Sequence, residues 1–94
     1  MNAEFKKWLH LGAKLNQDQK LECPSCGKAA VDFQYVADAN DKIGYLDMWC
    51  GACLKGIHIS RARVPKGTPM LDIKADPKTI ASRIPNFTWV LPDD

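Results

Sequence analysis

The chain of 94 residues lacks a strong excess of charge of either sign. It has 13 lysine and arginine residues against 11 aspartate and glutamate residues, which gives a formal net charge of +2. Non-specific binding of nucleic acid usually requires a marked basic excess, which is missing here. The first ten residues are rich in charge and contain no continuous apolar run. We therefore expect neither a secretion signal nor a membrane association.

The sequence also lacks the residue patterns of common catalytic sites. It has no Ser/His/Asp arrangement, no glycine-rich phosphate loop and no HExxH motif. His10 falls on the polar side of a predicted helix, and His58 falls in a predicted strand. We interpret both as surface or structural residues. Four aspartates near the predicted hairpin are interpreted as solvated loop residues: Asp32, Asp38, Asp41 and Asp47. The chain is therefore expected not to be an enzyme.

Cysteine occurs four times and only in two CxxC pairs. These are Cys23-Pro24-Ser25-Cys26 and Cys50-Gly51-Ala52-Cys53. Both sulfurs of a CxxC pair can point into one small tetrahedron with Zn–S distances of about 2.3 Å. The spacing therefore predicts one Zn²⁺ bound by four thiolates. The predicted metal ligands are Cys23, Cys26, Cys50 and Cys53.

The residues around each pair fit a tight turn. Pro24 fixes φ after the first cysteine, and Gly27 follows the pair at a position where a positive φ is expected. Backbone N–H groups of such a turn can point at the thiolates and stabilise their charge. Lys28 and Lys55 follow the two pairs and can offset that charge from outside.

Three alternatives to a zinc site remain open. The first alternative is two disulfides, although a CxxC pair closes a very small loop. Redox chemistry is another, because Trp49-Cys50-Gly51-Ala52-Cys53 resembles the WCGPC motif of thioredoxins. Reactive thiols of that kind lie at a helix N-terminus, whereas residues 54–60 are typical of a strand. Iron is the third, since four sulfurs in a tetrahedron suit either zinc or iron.

The small size of the chain explains why a metal would be needed. Short chains bury a smaller share of their unfolded surface than larger proteins do. Structural zinc can add about 10–16 kcal/mol of binding free energy that is coupled to folding. Reduced thiolates also point to the cytoplasm. Zn²⁺ with four thiolates carries a charge of −2, so we expect the metal-loaded protein to be close to neutral.

We expect one domain of α+β class over residues 1–94. Residues 2–16 have helical periodicity with an apolar face, and Asn2 is a plausible N-cap. The apolar side is formed by Phe5, Trp8, Leu9, Leu11, Gly12 and Leu15. Residues 16–20 are predicted to be a polar linker. Residues 21–64 hold both cysteine pairs, and residues 65–94 form a C-terminal extension.

Residues 21–64 are predicted to form a three-stranded antiparallel sheet. The strands cover residues 29–37, 43–49 and 56–64, and one CxxC pair adjoins each end of the first hairpin. The order of these features resembles that of the zinc ribbon family: Cys-Pro-x-Cys-Gly, a hairpin, a second CxxC and then a third strand. Residues 44–47 and 56–61 are also similar to segments of small bacterial zinc-ribbon proteins. The resemblance implies a metal site and a fold, but no particular function.

The extension is punctuated by prolines. Asp76 and Pro77 predict the N-cap and first turn of a short helix, which Pro85 would end after about Ile84. Residues 87–91 could form a closing strand.

Two binding functions are compatible with these features. The first is docking of a protein partner, as an adapter or an immunity-like inhibitor, through the predicted N-terminal helix and the extension. Any exposed tryptophan or tyrosine would then serve as an anchor. The second is nucleic-acid binding by a basic group on and after the third strand: Arg61, Arg63 and Lys66. The odd spacing of Arg61 and Arg63 predicts that both lie on one face of that strand. Because the hairpin itself is acidic, we favour protein docking.

Overall fold

The computed structural model describes residues 3–15 and 21–92. The predicted N-cap Asn2 and the predicted linker 16–20 lie outside these ranges. These described residues form an α+β fold of two helices and one sheet. Its elements, in order, are α1 (Ala3–Gly12), β1 (Val31–Ala37), β2 (Ile43–Cys50), β3 (Lys55–Arg63), β4 (Met70–Asp72), α2 (Pro77–Arg83) and β5 (Thr88–Trp89).

The sheet has five strands rather than the three that were predicted. Its order is β4-β1-β2-β3-β5. The three central strands pair antiparallel, as expected. The expectation of a purely antiparallel sheet was wrong, because β4 pairs parallel with β1 and β5 pairs parallel with β3. Strand β5 lies within residues 87–91, where a closing strand was expected. Strand β4 was not expected, because three residues are too few to show a period in the sequence.

The register aligns one apolar face across the three central strands. Phe33 is opposite Met48, and Met48 is opposite Ile57. Helix α1 packs on this face. Its Gly12 is so close to Met48 that a Cβ placed on the glycine would lie 3.6 Å from Sδ of the methionine. Trp8 is fully buried in the same core. The apolar side of the predicted helix therefore packs on the sheet of its own chain.

The C-terminal extension covers the opposite face of the sheet. The ring of Phe87 stacks on that of Trp49, with centroids 6.1 Å apart. The guanidinium of Arg83 lies 5.3 Å from the centroid of the Trp49 ring and pairs with Asp32 at 3.1 Å. Because β1 and β2 are covered on both sides at their centres, Val36 on this face is fully buried.

The prediction of α2 is confirmed. The side chain of Asp76 accepts a hydrogen bond from the backbone N–H of Lys78 at 2.9 Å, and Pro77 lies in the first turn. The helix ends before Pro85, with Ile84 in an extended conformation. In the described ranges, neither α1 nor α2 is long and apolar enough to cross a bilayer.

The strand on which Arg61 and Arg63 were expected to share a face is not regular between them. The pairing of β2 with β3 shifts register between Gly44 and Tyr45, which are opposite Ala62 and Ser60. Arg61 is the extra residue of this β-bulge and has a φ of 57°. A bulge breaks the alternation of side chains, so spacing alone cannot place these two arginines together.

Candidate metal centre

Both CxxC pairs form the same tight turn. In the first, the N–H of Gly27 donates to the carbonyl of Cys23 at 2.8 Å, and in the second the N–H of Leu54 donates to the carbonyl of Cys50 at 2.9 Å. Gly27 has a φ of 81°, which confirms the prediction, and Leu54 has a φ of 56°. The second turn therefore has the same geometry without the glycine that favours it.

Backbone N–H groups of each turn point at the first sulfur of the pair. Those of Ser25 and Cys26 lie 3.3 and 3.4 Å from Sγ of Cys23. The N–H of Ala52 lies 3.3 Å from Sγ of Cys50. Such hydrogen bonds stabilise a thiolate over a thiol, as was expected from the spacing of the cysteines.

The fold brings the two turns together into one cluster of four sulfurs. A hydrogen bond of 2.8 Å from the N–H of Gly51 to the carbonyl of Ala30 joins the second turn to the segment after the first. The Sγ atoms of Cys23 and Cys53 are 3.7 Å apart, and those of Cys26 and Cys50 are 3.6 Å apart. All four sulfurs lie within 4.8 Å of one another.

These distances fit a single metal ion. A tetrahedron with metal–sulfur bonds of about 2.3 Å has edges of about 3.8 Å. They do not fit disulfides, whose sulfurs are about 2.05 Å apart. All four cysteines are free thiols. The cluster is consistent with one tetrahedral metal site formed by cysteines alone.

The thiols of the cluster differ in acidity. Burial disfavours the Cys50 thiolate. Hydrogen bonds from the N–H groups of Cys53 and Ala52 and from the neighbouring thiols favour the thiolate more strongly. The net effect lowers the pKa of Cys50 to about 7. Burial and the adjacent sulfurs raise the pKa of Cys53 to about 12. Burial also raises the pKa of Cys23. Protons and a metal ion therefore compete for the same sulfurs, and metal affinity is expected to fall at low pH.

The second pair does not have the surroundings of a thioredoxin-like motif. Cys50 is the last residue of β2, and Cys53 lies in the turn before β3. Thioredoxin-like thiols are activated by a helix N-terminus, and a strand follows here instead. The reading of residues 54–60 as a strand is confirmed, with β3 beginning at Lys55.

The first turn is also attached to helix α1. The hydroxyl of Ser25, between Cys23 and Cys26, donates a hydrogen bond to Oε2 of Glu4. The contact links the candidate metal site to the helix that covers the core face of the sheet.

His58 lies outside the sulfur cluster. Its Nδ1 atom is 2.6 Å from Oδ1 of Asp47, which is directly opposite it on β2. Its ring stacks on that of Trp89, with centroids 4.6 Å apart and an interplanar angle of 1°. His58 is therefore a structural residue in a polar and aromatic cluster, whereas His10 is exposed on α1.

The four aspartates have separate roles. Asp38 and Asp41 accept backbone N–H bonds from Asn40 and Ile43 in the hairpin loop, at 2.8 and 2.9 Å. Their interpretation as loop residues is confirmed. Asp32 instead pairs with Arg83.

Asp47 was also interpreted as a solvated loop residue, and that interpretation was wrong. It is only 8% exposed. Burial raises the pKa of Asp47, and the hydrogen bond from His58 partly offsets this effect. Asp47 and His58 are eleven residues apart in the sequence. Only the strand register places them side by side, so no sequence motif marked the pair.

Comparison with known proteins does not assign a family. No family model, no curated protein and no solved structure matches the chain. The resemblance to zinc ribbons therefore rests on the two cysteine turns and the hairpin between them.

Replacing Gly27 with alanine is expected to lower the free energy of unfolding by about 1 kcal/mol. A Cβ at this position would meet no heavy atom within 4 Å. The loss of stability therefore comes only from placing a Cβ on a residue with positive φ. Gly51→Ala is the matched control in the other turn, because its Cβ would meet only the carbonyl of Ala30 at 3.6 Å. Denaturant unfolding with saturating zinc measures both. Equal stability of Gly27→Ala and wild type would contradict the assigned turn.

Proposed function

We propose that the protein is a zinc ribbon without catalytic activity that acts by docking a protein partner. Zinc is favoured by four sulfurs at tetrahedral spacing. Four thiolates fill the coordination shell of zinc, so the bound ion has a structural role and no open position for a substrate. The reduced thiolates that bind zinc suit a cytoplasmic protein.

The single observation that carries the docking proposal is the exposure of Trp89. Large aromatic side chains dominate the energetics of protein interfaces. Trp8 and Trp49 are buried, whereas Trp89 is 52% exposed in the C-terminal extension. Leu91, two residues further on, is 56% exposed. Two large apolar side chains are therefore exposed in this segment, one in the edge strand β5 and one just after it.

We restrict the proposed docking surface to the C-terminal extension. The apolar side of α1 is used by the core, because Trp8 is fully buried and Phe5 and Leu9 pack against the same cluster. The extension, in contrast, leaves apolar side chains at the surface. We therefore propose that the extension contacts the partner and that the protein acts as a small adapter or an immunity-like inhibitor.

Trp89→Ala is expected to abolish capture of the partner while leaving the metal in place. A tagged protein incubated with native cell extract, after nuclease treatment and at moderate salt, should retain a stoichiometric protein that the variant does not. Ile43→Ala is the control, because Ile43 is also exposed, at 39%, but lies at the other end of the sheet. Capture that survives in Trp89→Ala, or recovery of nuclease-sensitive material only, would count against the proposal.

Nucleic-acid binding is the second candidate, and one observation favours it. Arg63 and Lys66 line a common cleft of about 500 Å³ together with Lys42. Binding there would weaken with salt, with log K falling by about 0.7–0.9 per unit of log salt for each phosphate contacted. A fluorescence titration with mixed DNA and RNA at low salt tests it. Arg63→Ala with Lys66→Ala should flatten the salt dependence if this candidate is correct.

A further inference from the structure

A second cleft lies between the sheet and the C-terminal extension, on the face opposite α1. Its volume is about 450 Å³, which is within the range of ligand-binding sites. Aromatic rings line part of it, and aliphatic side chains line the rest. The rings are those of Tyr45, Phe87 and Trp89, and the aliphatic group includes Ile73, Ile80 and Ile84.

Asp47 is the one formally charged side chain among the residues that line this cleft within the described part of the chain. Its residue surface is 8% exposed. Oδ1 of its carboxylate is paired with Nδ1 of His58 at 2.6 Å, and Oδ2 can accept a further hydrogen bond. A largely apolar cleft with one carboxylate is complementary to a group that is apolar along its length and cationic at its end.

The orientation of Trp89 is fixed by its neighbours. Its ring lies parallel to that of His58, with centroids 4.6 Å apart, and His58 is held in turn by Asp47. The ring of Tyr45 lies 5.1 Å from that of His58 on β3. Aromatic faces attract cations by about 0.5–2 kcal/mol, most strongly where water is excluded. The cleft therefore combines ordered aromatic rings with a carboxylate.

The same face of the sheet already binds a cation of the chain itself in this manner. Arg83 lies over the ring of Trp49 and pairs with the carboxylate of Asp32. That site shows how a ring and a carboxylate on neighbouring strands accommodate one positive charge. Asp47 with Tyr45 and Trp89 has the same composition. His58 contacts all three from one side and is not among the residues that line the cleft, so the cleft side of the group has no basic residue.

We propose that this cleft binds a lysine side chain of the docked protein partner, an inference that rests on the docking function proposed above. The butylene stem would contact the aliphatic wall, and the ammonium would meet Asp47 and the rings. Arginine is a poorer match, because its planar fork favours two carboxylate oxygens at once, and His58 already occupies one of them. A fully apolar side chain would bury Asp47 without a partner for Oδ2, which costs free energy.

The test compares three peptides on the zinc-loaded protein. They are acetyl-Ala-Lys-Ala-amide, the same peptide with norleucine, which has the stem without the ammonium, and the same peptide with arginine. Binding is followed by NMR shifts of the Trp89 indole and the Ile80 methyl groups. The lysine peptide is expected to bind about tenfold more tightly than the norleucine peptide, and more tightly than the arginine peptide. Equal binding of lysine and norleucine, tighter binding of arginine, or no saturable shift would overturn the proposal.

Two variants locate the effect. Asp47→Asn should reduce the preference for lysine over norleucine to about twofold or less, because the isosteric amide keeps the shape and removes the charge. Asp32→Asn is the matched control and should leave the preference unchanged, since Asp32 pairs with Arg83 and does not line the cleft. An undiminished preference in Asp47→Asn would refute the assignment. If that variant loses zinc, Trp89→Leu replaces it and should weaken lysine binding more than norleucine binding.

The outcomes separate this inference from the function on which it rests. If Trp89→Ala loses the captured partner and the peptides show no preference for lysine, docking stands and the lysine assignment falls. If the lysine preference is found but capture does not depend on Trp89, the cleft binds lysine and the proposed docking surface is wrong.

Discussion

Replacing Cys50 with serine is expected to unfold the protein or to leave it without a cooperative unfolding transition. A structural zinc site contributes about 10–16 kcal/mol of apparent binding free energy, which is comparable with the whole stability of a small domain, about 5–15 kcal/mol. Cys50 is fully buried and is the last residue of β2. Its replacement therefore removes one of the four candidate ligands at a buried position.

Metal analysis and circular dichroism measure this effect. Wild type should carry one zinc ion per chain, and Cys50→Ser less than one. Addition of a strong chelator to wild type should reproduce the spectrum of the variant. Ala52→Ser is the matched control, because it introduces the same hydroxyl into the same turn at an exposed position and removes no sulfur. A chelated protein that keeps its thermal midpoint and near-ultraviolet spectrum would show that the core is stable without metal. Iron in place of zinc would be detected in the same elemental analysis.

Gly56→Ala is expected to lower the free energy of unfolding by about 3 kcal/mol or more. A Cβ on Gly56 would lie 1.9 Å from the carbonyl oxygen of Met48 and 2.7 Å from Cα of Trp49. Both are backbone atoms of the neighbouring strand β2, so they cannot rotate away as a side chain would. The two strands would have to separate beside the second cysteine turn.

Denaturant unfolding in saturating zinc again provides the measurement. Gly67→Ala is the control, since Gly67 has a φ of 82° and no heavy atom lies within 4 Å of its Cβ position. That control should cost about 1 kcal/mol for the backbone conformation alone. If Gly56→Ala were no less stable than Gly67→Ala, the close approach of β2 and β3 at this position would be wrong.

The segments that sequence reasoning placed correctly have local causes. Helix α2 begins where Asp76 can cap it and Pro77 can occupy its first turn, and it ends before Pro85. The antiparallel strands β1 and β2 follow from alternating apolar residues and a polar turn between them. In each case the residues that decide the structure lie within a few positions of one another.

The errors concern contacts between residues far apart in the chain. The edge strand β4 was missed, because it contains only three residues and is defined by its parallel pairing with β1. Strand β5 lies in the expected closing segment, and only its parallel pairing with β3 was not expected. The bulge at Arg61 arises from a register shift between β2 and β3. A short strand or an extra residue is determined by its partner strand, and the partner cannot be read from local pattern.

The sequence by itself determined the candidate metal site and the two turns that form it. The tight turn of a CxxC pair fixes the direction of its sulfurs through its own backbone, and two CxxC pairs in one chain point to one ion. The tertiary structure alone decided which aromatic residues remain exposed and what faces the second cleft. Trp8, Trp49 and Trp89 are chemically identical, and burial of the first two but not the third depends on which segments cover each face of the sheet. Asp47, His58 and Trp89 likewise meet only because the strands pair in this register, so the cleft exists only in the folded protein.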